Sequence, residues 1–116
     1  VNIEYPLADY FISPEKIRDM LVPYPDIDGL FAVSDQVAMS SIIALNMLGK
    51  RVPEDVKVIG FDGGRSFLNL GMRLTSVNQD PVLIAKAIRD IIISYKKNKK
   101  IENHVIPVKL IDGDTA

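Results

Sequence analysis

Apolar and polar positions alternate along the chain in two periods, and the periods give way to one another at recognisable breaks. "VNIEY" alternates with period two and is rich in β-branched residues before Pro6, so a short first strand is expected. Ser13-Pro14-Glu15 then offers a capping hydroxyl, a first-turn proline and an acid, and Ile17, Met20 and Leu21 follow at helical spacing. Pro23 and Pro25 cannot continue that helix. "GLFAVS" is an uninterrupted apolar run, the pattern of a strand covered on both faces. Asp35 is placed to cap the next helix, whose apolar positions include Val37, Ala38, Ile42, Leu45 and Leu48, with Gly49 as its C-terminal stop. "VKVIGFD" and "LTSVNQ" are two further strands, separated by the glycine-rich loop "GGRSFLNLGMR". Asp80-Pro81 repeats the cap-plus-proline start, and Leu83, Ile84, Ala87, Ile88, Ile91, Ile92 and Tyr95 form the strongest helical stripe in the chain. "HVIPVKLI" closes the sequence as a strand whose proline marks it as an edge.

Strands alternating with helices imply an α/β fold, an open and mostly parallel sheet flanked by helices on both faces. With 116 residues there is room for one domain, and 47% apolar residues suffice for a real core. The balance of 14 basic against 15 acidic residues is no nucleic-acid footprint, and "KKNKK" reads as a solvated helix end. The absence of cysteine excludes thiolate chemistry and disulfides. The single histidine, His104, is expected on a surface loop, since a metal site needs further ligands. No apolar run reaches the roughly 18 residues of a membrane span. The chain opens on Val1 without an initiator Met, which points to a piece of a longer protein.

Ligands of open parallel sheets bind beyond the carboxyl ends of the strands. Those exits hold Ser34-Asp35, Asp62 with Gly63-Gly64, and Asn78-Gln79-Asp80. Carboxylates, an amide and a hydroxyl together suit a neutral polyhydroxylated ligand. Asp35 and Asp80 read first as N-caps, whereas no clear helix follows Asp62 directly, which favours a site role for it. Ser34 and Gln79 are candidates for a site role as well as for a purely structural one. Three acids at strand ends also admit a magnesium-dependent enzyme with a receiver-like sheet, but no lysine stands at a further strand exit to hold a phosphoryl group. Dinucleotide, Walker and nucleophile-elbow motifs are missing. No enzyme, metal or cofactor is expected.

The run "GLFAVSDQVAMSSIIALNMLGKRVPEDVKVIGFDGG", followed by "LTSVNQDP", an amphipathic helix and a short strand, resembles the lac repressor family of transcription regulators. It also resembles the ribose-type periplasmic sugar-binding proteins. "SDQVAM", "RVPEDVKVIGFD" and "LTSVNQD" carry the likeness, and "RVPEDV" favours the repressor side. The resemblance implies that residues 1–116 are the C-terminal part of a two-lobed effector-binding domain, one lobe of a type I periplasmic-binding-protein-like fold. The DNA-binding domain and most of the N-terminal lobe would lie elsewhere. It implies a cytoplasmic regulator that closes on a small effector, a sugar or related metabolite, with no membrane partner and with DNA bound only through a separate helix-turn-helix.

The family's ligand asparagine falls at Ser34, a departure that shortens the reach and removes an amide donor. Its ligand aspartate falls at Asp62 and its hinge glutamine at Gln79, both kept. Pro81 occupies a position that often packs on the ligand ring. A homodimer is implied, with Met39, Ile43 and Leu70 as interface candidates and the core as the alternative place for them. The same resemblance sends the helix of residues 82–97 into the other lobe; without that lobe, it is expected to fold back or to swap with a second copy.

Overall fold

A computed structural model describes residues 13–63, 71–97 and 100–116. Its elements run α1 (Pro14–Leu21), β1 (Gly29–Phe31), α2 (Asp35–Met47), β2 (Lys57–Asp62), β3 (Thr75–Gln79), α3 (Pro81–Lys96) and β4 (Val108–Ile111). The expected strand "VNIEY" and most of the "GGRSFLNLGMR" loop lie outside the described residues, as does Leu70.

The sheet has the order β1-β2-β3-β4. β1 and β3 flank β2 in parallel, with Phe31 opposite Ile59 and Asp62 opposite Asn78. β4 runs antiparallel along β3, with Leu110 opposite Val77. It is the edge strand that Pro107 foretold, and the proline ends up just before the ladder, where its missing N–H costs nothing. The parallel register sets the carboxyl ends of β1, β2 and β3 side by side.

α1 and α2 pack together over β2. Ile17 and Leu21 from α1, Ala38, Ile42, Ala44 and Leu45 from α2, and Val56, Val58 and Leu74 beneath them form the core. Alternation along β2 buries Val58 and Gly60 on this side. On the other side Ile59, Phe61 and Val77 are half-buried and Phe31 is exposed, its ring edge-on to Phe61 at 6.3 Å. "GLFAVS" is thus a short strand covered on one face by the described helices, rather than one sealed on both. The amino end of the sheet is closed by Thr115, which is fully buried. Its hydroxyl donates to the Val58 carbonyl at 2.8 Å and accepts from the Thr75 N–H at 3.0 Å. That bridge fills the gap between β2 and β3 before the two strands pair. An exposed pair, Arg73 with Asp114, fastens the same tail.

α3 does not fold back onto the sheet, the first of the two arrangements expected for it. None of its residues is buried, and Leu83, Ile88, Ile92 and Ile93 are exposed. Asp80 alone separates the end of β3 from Pro81 at the start of α3.

Candidate functional site at the carboxyl edge of the sheet

The exits of the three parallel strands bring Ser34, Asp62 and Gln79 to one edge. Asp62 and Gln79 are in direct contact: the Gln79 amide donates to Asp62 Oδ1 at 3.1 Å. Asp62 is exposed and Gln79 half-buried, so the pair faces outward while remaining held. Asp62 has φ 119°, the one positive value at a non-glycine position among the described residues. Such a conformation costs about 1–3 kcal/mol and persists only where its surroundings impose it. By strand alternation Asp62 shares a face with Val58 and Gly60, whereas Gln79 alternates with Asn78 onto the opposite one. The positive φ at this last residue of β2 accompanies a contact that strand alternation alone would not give. Gly63 continues the turn at φ 67° and lies so close to Asn78 that no side chain fits there.

The capping role expected of Asp35 falls to Ser34. Ser34 is the N-cap of α2: its backbone is extended and its hydroxyl oxygen accepts from the Val37 N–H at 3.3 Å. Asp35 is the first helical residue and is 4% exposed. Its carboxylate turns inward and accepts the hydroxyl of Ser76, at 2.5 Å. Space for it exists because residue 60 is glycine, whose missing Cβ would meet the Asp35 carboxylate. Ser34 keeps its hydroxyl proton for another acceptor, since the cap uses only a lone pair. Asp80 caps α3 as expected, accepting from the N–H groups of Val82 at 2.9 Å and Leu83 at 3.2 Å. Pro81 beside it is exposed.

Ser76 escaped the sequence reading. It is 3% exposed, donates to Asp35, and accepts from the Gly63 N–H at 3.1 Å. Nothing in "LTSVNQ" marks one hydroxyl as a junction between two other segments. Among the described residues no three acids or histidines gather in metal-binding geometry. Asp35 is buried against Ser76, whereas Asp62 is exposed beside Gln79. Of the interface candidates, Met39 is half-buried against the core and Ile43 is exposed on α2. His104 is exposed, as expected.

The family model of the periplasmic binding protein-like domain matches residues 3–116. The ribose operon repressor of Halalkalibacterium halodurans is 35% identical over 113 residues, covering 94% of this chain and 34% of its own length. The ribose import binding protein RbsB of Bacillus subtilis is 34% identical over 98 residues, covering 81% of this chain and 31% of its own. Among solved structures, the complex of the transcriptional regulator CelR with cellobiose superposes with a TM-score of 0.77 at 28% identity, covering 89% of this chain and 32% of that one. The chain therefore spans about a third of the length of the relatives it matches.

Proposed function

The chain belongs to the periplasmic binding protein-like domain family, and from that premise we propose that it is the C-terminal part of the effector-binding domain of a transcription regulator. Its ligand is a sugar or a related polyhydroxylated metabolite. The observation that carries this reading is the Asp62–Gln79 pair, joined across two strand exits and held outward by a positive φ. An exposed carboxylate oxygen accepts hydroxyl protons, and the amide both donates and accepts, so the pair can grip two neighbouring hydroxyls of a ring. Asp62 has a second oxygen, so it receives a ligand without giving up Gln79. Ser34 adds a short hydroxyl donor where an asparagine would reach further, which leaves room for a bulkier ligand or a bridging water. Pro81 offers an apolar edge beside them. The repressor and CelR relatives, whose names refer to ribose and cellobiose, support a sugar.

In this reading ligand binding closes a second lobe over the sheet edge, with the β3–α3 junction as part of the hinge, and a separate helix-turn-helix reads DNA. The protein is a cytoplasmic homodimer that binds rather than transforms its ligand, and Ile43, with Met39 behind it, contributes to the interface. No helix among the described residues is long and apolar enough to cross a membrane. The likeness to RbsB supports a second reading, the sugar-binding component of a transporter.

The test uses the intact parent protein with D-ribose and cellobiose as probes, read by calorimetry and by operator binding. Asp62→Ala should weaken sugar binding by about 1.5–3 kcal/mol, the worth of hydrogen bonds to a charged group, and leave operator binding unchanged. Undiminished sugar binding would move the site elsewhere. Sugar binding without any operator binding would favour the transporter.

A further inference from the structure

We infer that Asp35 and Ser76 are positioning residues that set the Asp62–Gly63 turn and thereby aim the Asp62 carboxylate. The inference rests on the reading of Asp62 as a ligand residue. The two side chains are 4% and 3% exposed, and they come from different elements, the first turn of α2 and the middle of β3. A hydroxyl has one proton and two lone pairs. The Ser76 proton goes to Asp35 Oδ1, so a lone pair is left to face the Gly63 N–H, and it receives that group at 3.1 Å. Asp35 therefore orients the serine, and the serine holds the amide that immediately follows Asp62.

Asp62 is thus fixed from two sides. Its own carboxylate accepts from Gln79, and the peptide after it is anchored on Ser76. Both anchors come from β3, the strand that leads straight into α3. A shift of β3 against β2 would pull on both at once and redirect the carboxylate. Gly60 seals the arrangement, because the Asp35 carboxylate fills the space a side chain there would need. The buried relay places the middle of β3 in contact with the ligand-facing turn without itself touching ligand.

The experiment compares the wild type with Ser76→Ala, Ser76→Thr, Asp35→Ala and Asp62→Ala. It reads amide hydrogen exchange by NMR in the chain itself, and D-ribose and cellobiose affinity by calorimetry in the intact parent. Ser76→Ala and Asp35→Ala should speed exchange at Gly63 about tenfold, the effect of one partly buried hydrogen bond, with the amides of Ile42 and Leu45 unchanged. Ser76→Ala should also weaken sugar binding, and Ser76→Thr, which restores the hydroxyl, should recover both. Unchanged Gly63 exchange in Ser76→Ala overturns the inference. So does equal acceleration at Ile42 and Leu45, which would mark a merely structural role, and so does full sugar affinity with Gly63 released. If Asp35→Ala does not fold, the two serine variants decide alone. Sugar affinity untouched by Asp62→Ala would instead count against the ligand site, while Gly63 exchange still reports on the relay.

Discussion

Ser76 reaches across 41 positions of sequence to hydrogen-bond Asp35 at 2.5 Å, and both side chains are buried. The contact ties the start of α2 to β3, the strand that also carries Gln79 to the exposed Asp62. A charged side chain is tolerated in such a place only when its oxygens are hydrogen-bonded. The packing around it is therefore a sensitive place to perturb.

Gly60→Ala should be destabilising. The added methyl meets the Asp35 carboxylate and lies 2.9 Å from Leu74 Cδ2 and 3.3 Å from Ala38 Cβ. Overpacking of this kind costs about 1–3 kcal/mol. Urea unfolding followed by circular dichroism measures it, with Gly29→Ala as the control because open space surrounds that position. Equal stability of the two variants would show that Asp35 moves aside freely.

Asp62→Gly should stabilise the fold and weaken ligand binding. Glycine adopts φ 119° without the steric cost that a side chain incurs. The gain is about 1 kcal/mol at most, because glycine also adds freedom to the unfolded chain. A higher unfolding midpoint together with weakened sugar affinity is the expected pair of results. A lower midpoint would mean that the bond from Gln79 outweighs the strain.

Stability should fall as the pH is lowered below the ordinary carboxylate range. The side-chain hydrogen bonds from Arg51, joined by its backbone N–H, hold the Asp55 carboxyl far below its usual value. Arg73 lowers Asp114 in the same way, through its side chain first and its backbone N–H second. Below about pH 4 the unfolded chain protonates these carboxylates while the folded one does not, so protons favour unfolding. Both pairs are solvent-screened, so the effect is modest. Comparing urea midpoints at about pH 7 and pH 3 should show the drop, and a protein carrying both Arg51→Gln and Arg73→Gln should show a smaller one.

The 116-residue chain should self-associate through α3. Ile88 is 52% exposed and Ile92 49%, one turn apart on a helix with no buried residue. Contiguous apolar surface of several hundred Å² is seldom left open to water on a monomer. Size-exclusion chromatography with light scattering should give a mass above that of one chain, reduced by Ile88→Lys with Ile92→Lys. A monodisperse wild-type monomer would contradict this.

The sequence by itself determined what is encoded within one or two turns of chain. Ser13 and Asp80 cap the helices that follow them because a cap needs only an N–H two or three residues ahead. The stripe from Leu83 to Tyr95 lies within the single helix α3, and Pro107 placed β4 at the edge, since period and proline act locally. Parallel strands are enough to put the exits at Asp62 and Gln79 on one edge of the sheet, but not to bring the two side chains into contact. The tertiary structure decided what depends on distant partners. Ser34 and Asp35 are both good caps, and no local rule chooses between them. Asp35 goes inside because Gly60 leaves a space and Ser76 supplies a donor, and only then is Ser34 the cap. The positive φ of Asp62 and the bridging role of Thr115 have the same origin. Burying a polar group takes partners that the folded chain alone brings within hydrogen-bonding distance.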